Sequence, residues 1–395
     1  MTLPVIVLAA YLGLSLLYWL WIAYSAVRLR GGVPILAKAR PPEPQHWPKL
    51  SVIVPACNEA DDLEQAARTL LEEDYPHLEI VLVDDRSTDA TGAIIDRLAA
   101  SDPRVRAIHV TELPDGWLGK VHALDRGFRE STGEFVLFTD ADVHIKPGTL
   151  RSAVAYCLHH NLDHLAGLPQ LWPTSFPLSS VIATFIREFL AMTRPWAVGD
   201  PKSRAFIGIG AFNLVRRTAF EATEGFAWLR MEVADDMGVG YMMKKSGARC
   251  GVVSAVGYVG LHWYRSMGQA VRGAEKGYST AFRCSVIRAF VVAALMLALE
   301  MAPILCLLPL AWAELRVFGY GGIAVFAAFV FSTILLGRWG RGRVLPGLCT
   351  PFVAPILAAA SIRCGLLGWR RGGVLWRNKL YPSALLKKGK RIPLP

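Results

Sequence analysis

Three kinds of hydrophobic pattern follow one another along the chain. The first is an apolar run from Leu3 to Val27, with no basic residue ahead of it and Arg28, Arg30, Lys38 and Arg40 behind it. At about 1.5 Å of rise per residue such a run crosses a bilayer core of roughly 30 Å. It predicts a spanning helix whose following residues face the cytosol, and it is too long for the apolar core of a cleaved signal peptide. Pro41, Pro42, Pro44 and Pro48 then rule out a continuing helix and make an extended linker.

From Leu50 the pattern changes. Short runs rich in β-branched and aromatic residues, Leu50 to Val54, Glu79 to Val83, Val105 to Val110 and Glu134 to Phe138, alternate with helical stretches such as 61–72 and 91–100. Strands alternating with helices predict a mainly parallel sheet covered on both faces. The third pattern begins after Arg288 with three greasy segments, Ala289 to Trp312, Val317 to Leu336 and Val344 to Trp369. Pro346, Pro351 and Pro355 interrupt the last one, which predicts a re-entrant or interfacial element there and a cytosolic tail. The chain thus divides into an anchor at 1–28, a Pro-rich linker at 29–49, an α/β domain at 50–285, a membrane region at 286–369 and a basic juxtamembrane tail at 370–395. Ser175 to Trp196 is also apolar, with Phe185 and Phe189, yet it reads as too short and interrupted to span. It is either a helix buried against the sheet or an interfacial helix beside the entrance for an acceptor.

Composition agrees with a chain partly in lipid. Of 395 residues 53% are hydrophobic and 19% charged, against roughly 25% charged in ordinary soluble proteins. The net charge of +11 is concentrated beside the apolar segments, and 370–391 alone carries eight Lys and Arg residues. That placement reads as a strip on acidic lipid; no basic-aromatic module points to nucleic acid. Seven cysteines without a CxxC pair or metal-ligand spacing predict reduced, mostly buried thiols.

Candidate chemistry gathers at strand ends, where open α/β sheets bind ligands. Val54-Pro55-Ala56-Cys57-Asn58-Glu59 follows the first strand and Val83-Asp84-Asp85-Arg86-Ser87-Thr88-Asp89 the second. A carboxylate there accepts the imide N–H and hydroxyls of a nucleoside; the alternative is that Asp85 and Ser87 cap the next helix. Asp140-Ala141-Asp142 follows the fourth strand, and its hard oxygen ligands suit Mg²⁺ or Mn²⁺ completed by phosphate oxygens. Asp235-Asp236 offers a base for an acceptor hydroxyl, or merely acidic residues at a helix N-terminus. Lys120 and Arg272 are candidate phosphate ligands, with solvated side chains as the alternative.

As an ordered set, Val-Pro-Ala-Cys-Asn-Glu, Val-Asp-Asp-Arg-Ser-Thr-Asp, Gly119-Lys120-x-x-Ala123-Leu124-x-x-Gly127, Asp-Ala-Asp and Ala234-Asp235-Asp236 resemble the family 2 glycosyltransferases over roughly 50–285. The run from Gly119 to Leu124 and the apolar ends look most like the ceramide glucosyltransferase and hopanoid-associated branch. The resemblance implies the GT-A fold and metal-dependent, inverting transfer of a hexose from a UDP-sugar to the hydroxyl of a membrane lipid. It implies a multi-pass protein of a bacterial inner membrane with its catalytic domain in the cytosol. By the same resemblance Pro55, Asn58, Glu59, Asp85, Lys120, Asp140, Gln269 and Arg272 bind the donor, and Asp85 takes the base. Asp142 would hold Mg²⁺ or Mn²⁺, and Asp236, next to Asp235, would be the catalytic base. The family's Gln-x-x-Arg-Trp is incomplete, with Gly273 in place of Trp; His262-Trp263-Tyr264 is the nearest substitute aromatic surface. Trp376-Arg377-Asn378-Lys379-Leu380-Tyr381 is similar to a tail motif of lipid-modifying relatives. A processive polysaccharide synthase and a catalytically silent nucleotide-sugar-binding scaffold are the competing readings.

Overall fold

The computed structural model describes residues 2–377 and 379–393. Helix α1 (Leu3–Gly32) and the short α2 (Leu36–Ala39) lead into the α/β domain. There β1 (Leu50–Ala56), α3 (Leu63–Leu71), β2 (Leu78–Asp85), α4 (Thr91–Ser101), β3 (Val105–Val110), α5 (Gly119–Glu130) and β4 (Phe135–Phe138) alternate along the chain as its pattern predicts. These four strands are parallel and ordered β3-β2-β1-β4. β1 is buried along its whole length, which is why it shows no polar alternation. Its side chains serve two cores: Leu50, Val52 and Val54 pack toward α3 and α4, while Ile53 packs toward α5.

Past β4 come β5 (His144–Ile145), α6 (Thr149–His159), β6 (His164–Leu168), β7 (Gln170–Leu171) and α7 (Phe176–Thr193). β8 (Asn213–Arg216), α8 (Arg217–Glu221), α9 (Gly225–Leu229), α10 (Asp235–Lys245), β9 (Cys250–Ser254), β10 (Val259–Leu261) and α11 (Met267–Gly273) complete the domain. The seven-stranded sheet runs β3-β2-β1-β4-β8-β6-β9, with β8 antiparallel to both neighbours. A small sheet, β5-β10-β7, flanks it. The sheet is therefore mainly parallel, as expected, with one reversed strand that places its N-terminal residue Asn213 opposite Phe138, at the carboxyl end of β4.

The rest is helical: α12 (Val286–Leu305), α13 (Arg316–Trp339), α14 (Val344–Leu348) and α15 (Thr350–Arg371). Among the described residues five helices are long and apolar enough to cross a membrane: α1, α12, α13 and α15, and also 176–197, the stretch around α7 read from the sequence as too short. Half of that last window is buried in the protein. Leu178, Ile182 and Leu190 face inward while Phe176, Phe185 and Met192 are exposed, so α7 has both a packed and an open face. The segment 344–371 is bracketed by contacts to the α/β domain. Arg341 lies beside Gly257, and Arg371 pairs with Glu275 at 2.8 Å.

Beyond α15 the tail differs from the expected strip on lipid. It forms a hairpin, β11 (Gly373–Trp376) and β12 (Lys379–Pro382), followed by α16 (Ser383–Gly389). The backbone N–H groups of Arg391 and Ile392 donate to Glu232 Oε2 at 2.7 and 3.2 Å, which pins the tail to the segment that precedes α10.

A buried polar cluster ties α7 to the helices. Arg187 pairs with Glu300, both almost fully buried, and donates to Thr350 Oγ1 at 3.1 Å; Tyr18 Oη reaches Glu188 and Glu300 at 2.6 Å each. Removing one partner strands a buried charge, whereas replacing both with apolar residues does not. Glu300→Leu alone is therefore expected to destabilise the detergent-solubilised protein by about 3–5 kcal/mol. Arg187→Met with Glu300→Leu should recover most of that loss in a thermal melt.

Candidate active site

Five loops and helix starts meet at the carboxyl ends of β1, β2 and β4. At the first, Asn58 takes a left-handed backbone (φ 57), and its Oδ1 accepts from the Thr88 N–H at 2.8 Å, binding the first loop to the second. Pro55 stays inside β1, paired in register with Val83, and does not line the cavity; its position is that of a strand residue. The helix-cap alternative fails for Asp85 and Ser87. Asp89 accepts from the Thr91 N–H at the start of α4, Asp84 accepts from Ser87 N–H and faces His109, and Ser87 Oγ accepts from Asn58 N–H.

Asp85 is fully buried, with Oδ1 taken by Arg86 at 2.8 Å. Its Oδ2 has no hydrogen-bond partner among the described residues and lines a cavity of about 180 Å³. Gly119 makes this possible: a Cβ there would lie 2.3 Å from Asp85 Oδ2. Burial of an acceptor without a donor is costly, so this oxygen is poised for a ligand N–H or O–H.

Lys120, on the first turn of α5, lies between Asp140 Oδ1 at 2.7 Å and Asp235 Oδ2 at 3.3 Å. Burial opposes its charge, but Asp140 and Asp235 outweigh it and hold the ammonium well above its ordinary range. Reciprocally, burial raises Asp140, yet Lys120 prevails and keeps that carboxyl below the usual range. The expected phosphate ligand is thus first a clamp on two carboxylates. Asp236 Oδ2 accepts from the Gly210 N–H at 3.0 Å and Oδ1 from the Met237 N–H at 2.8 Å. Burial and the neighbouring Asp235 push Asp236 above the carboxylate range. Both aspartates begin α10, so the helix-start reading and the site reading hold together.

Asp142 has no ion pair or hydrogen bond to another side chain among the described residues. Burial, then Asp140 and Glu59, push it up to about 7. A carboxyl crowded by like charge and lacking a cation fits a divalent ion. The described residues hold no cluster of three protein ligands, so the fit is to an ion completed by phosphate oxygens and water.

The structure does not bring every expected residue together. Gln269 and Arg272 are exposed on α11 and line neither this cavity nor the adjoining one around Asp140 and Asp236. Gln269 Oε1 accepts from the Arg265 N–H at 2.8 Å. At Gly273 the space is filled: a Cβ would lie 2.3 Å from Tyr264 Oη, and Tyr264 stacks on Trp263, which meets Phe185 of α7. Several contributors escaped the sequence reading. Asn213 Nδ2 donates to the Asp236 carbonyl at 3.2 Å, and its Oδ1 faces His164 Nε2 at 2.6 Å. Burial holds His164 down to about 4, so it is neutral and Nε2 carries the proton. Gly208 and Gly210 admit α10 to the site, and their Gly-x-Gly spacing was the available signal. The tail motif noted in the sequence also reaches the site: its Trp376, Arg377, Lys379 and Tyr381 line the Asp85 cavity.

Residues 51–224 match the family model described as Glycosyl transferase family 2. The GalNAc(5)-diNAcBac-PP-undecaprenol beta-1,3-glucosyltransferase of Campylobacter jejuni is 35% identical over 103 residues, 26% of this chain and 32% of that protein. The beta-monoglucosyldiacylglycerol synthase of Synechocystis is 30% identical over 159 residues, 36% of this chain and 33% of that one. The chain thus matches about a third of the length of such relatives. Among solved structures, the mannosyltransferase PcManGT from Pyrobaculum calidifontis, in complex with GDP-Man and Mn²⁺, covers 92% of this chain and 97% of its own. Its TM-score of 0.52 at 22% identity is a likeness of fold, and the sheet with its flanking helices is the GT-A fold.

A Cβ on Gly208 would lie 1.8 Å from the Asp236 carbonyl oxygen. Gly208→Ala is therefore expected to shift the start of α10 and lower turnover by at least about tenfold, with a circular-dichroism spectrum like the parent's.

Proposed function

We propose that the glycosyl transferase family 2 domain carried by residues 51–224 works, with α10 and the membrane helices, as an inverting glycosyltransferase that moves a hexose from a nucleotide diphosphate sugar, a UDP-sugar, to a hydroxyl of a membrane lipid. One observation carries the reading: Asp85, Asp140, Asp235 and Asp236, from three separate segments, converge at the strand ends around Lys120, with Asp142 on the same loop as Asp140. An unbonded, buried Asp85 Oδ2 suits the imide N–H of a nucleobase. Asp236, held by two backbone N–H groups and raised by Asp235, is an ionised base near neutral pH with an affinity for a proton.

Asp236 takes the proton of the acceptor hydroxyl, whose oxygen attacks the anomeric carbon from the face opposite the diphosphate. The bond from that carbon to the diphosphate oxygen breaks, and the configuration inverts. Asp142 would hold a divalent cation, Mg²⁺ or Mn²⁺, whose chemistry would be counter-charge for the departing diphosphate. Lys120 keeps Asp140 ionised and pairs with Asp235 at 3.3 Å, and the neutral His164, through Asn213, fixes the backbone of Asp236.

For the acceptor, the support is the exposed face of α7 with Phe185 and the contiguous Trp263 and Tyr264. A lipid whose chains stay in the bilayer could present its hydroxyl along that aromatic edge. The names of the two relatives, a polyprenol-linked sugar in one and a diacylglycerol in the other, support a lipid class. The Gly119 to Leu124 run and the apolar ends support a place in the ceramide glucosyltransferase and hopanoid-associated branch. Arg28 and Arg30 near the end of α1, with Lys38 and Arg40 beyond it, support a cytosolic catalytic domain in a bacterial inner membrane, and 344–371 then re-enters from that side.

Purified protein supplied with a labelled UDP-sugar and membrane lipid should transfer label only with Mg²⁺ or Mn²⁺, and full transfer in excess chelator would remove the metal. Asp236→Asn should lower the rate by roughly 10²- to 10⁴-fold while calorimetry still records nucleoside diphosphate binding. Because Asp236 must be ionised to act, kcat/KM should fall as pH drops through its raised range, above that of an ordinary carboxylate. Normal transfer by the variant would move the base elsewhere. Phe185→Glu should impair transfer to bilayer lipid at least tenfold more than to a short-chain soluble analogue; equal losses would make α7 a packing element alone.

A further inference from the structure

The cations that line the Asp85 cavity are Arg86, Lys120, Arg377 and Lys379. Two are committed. Arg86 spends Nε and Nη2 on Asp85 Oδ1 at 2.8 Å, and Lys120 is held between Asp140 and Asp235. Arg377 instead faces Glu59 Oε1 and Asp85 Oδ2 at 3.6 Å each, within ion-pair range but beyond direct hydrogen bonding. Lys379 makes no ion pair among the described residues and lies over the Tyr381 ring at 5.7 Å. The donors with spare capacity therefore belong to the hairpin, not to Lys120 or the exposed Arg272.

The hairpin is fixed where it is. Tyr381 is buried and meets the backbone of Gly119, Lys276 sits 4.5 Å over the Trp376 ring, and Arg391 and Ile392 are bonded to Glu232. Arg377 takes a left-handed backbone (φ 48) that favours glycine. A guanidinium is a planar fork suited to phosphate oxygens, and trading two long contacts for a diphosphate leaves Asp85 Oδ2 open to the nucleobase.

We propose that the C-terminal hairpin is a wall of the donor site, and that Arg377, with Lys379, holds the diphosphate of the nucleotide sugar. The proposal rests on the donor reading above. It places the last part of the chain, after the last membrane helix, in the substrate pocket, so that a chain lacking it would keep the catalytic carboxylates and lose the donor.

The test is calorimetric binding of UDP, GDP and the corresponding nucleosides to the full-length protein in detergent, for the parent, Arg377→Gly and Arg377→Gly with Lys379→Ala. Glycine relieves the left-handed backbone, so Arg377→Gly should melt no lower than the parent. The expected result is a nucleoside diphosphate that binds roughly tenfold or more weakly to Arg377→Gly and weaker still to the double variant, with nucleoside binding unchanged. Parent-like diphosphate affinity in both variants overturns the proposal. Equal loss for nucleoside and diphosphate also overturns it, because the hairpin then only shapes the pocket. If the parent itself binds no nucleoside diphosphate, the donor reading has failed and the proposal falls with it.

Discussion

Four aspartates in one cleft repel one another, and the site exists because one lysine stands among them. Lys120 reaches Asp140 from the end of β4 and Asp235 from the start of α10, two segments far apart in the chain. Without that charge the low-dielectric cleft would favour the protonated form of Asp140. The position of Lys120 depends in turn on Gly119, whose missing Cβ lets α5 start against Asp85. Glycines perform the same service at 208 and 210, where a side chain would strike the Asp236 backbone or the Asp140 carboxylate. The nucleotide end and the catalytic end of the site are thereby joined through two consecutive residues of one helix.

Much of this was legible. The strands β1, β2 and β4 announced themselves because a parallel sheet buried on both faces demands short, continuous apolar runs, and the edge strand β3 through alternating buried and exposed positions. The chemistry followed because strand ends are where such sheets bind ligands. What stayed hidden depends on contacts between residues distant in sequence. Nothing local marks Asn213 and His164 as the support of Asp236, since β8 is a short strand whose reversal is settled by its neighbours. The basic tail misled for a physical reason: charge beside an apolar helix has a ready explanation in lipid headgroups, and composition does not say which way Arg377 turns. Pro55 was drawn into the site by its neighbours Asn58 and Glu59, although its ring belongs to the strand. Arg272 was chosen by motif, and the exposed face of α11 holds it away from the two cavities.

The long apolar helices are packed together with the domain that carries the candidate site. α7 is gripped through Arg187 by Glu300 and Thr350, while its other side carries Phe185 toward Trp263 and Tyr264. Tyr264 occupies the room that Gly273 leaves, so the aromatic edge on that side is supplied from a preceding loop. The tail returns to Glu232, three residues before Asp235. The Asp85 cavity is lined in part by a hairpin that follows the apolar helix α15, which ties its geometry to the packing of the helices.

The central claim is a single displacement with Asp236 as the base, and the anomeric centre records it. With an α-linked nucleotide sugar carrying ¹³C at the anomeric carbon, the proton–carbon and proton–proton couplings of the isolated product report the new linkage by NMR. A β-linked product is the result this account requires. An α-linked product would mean that the configuration is retained, and no arrangement of Asp236 as a general base for direct attack would survive it.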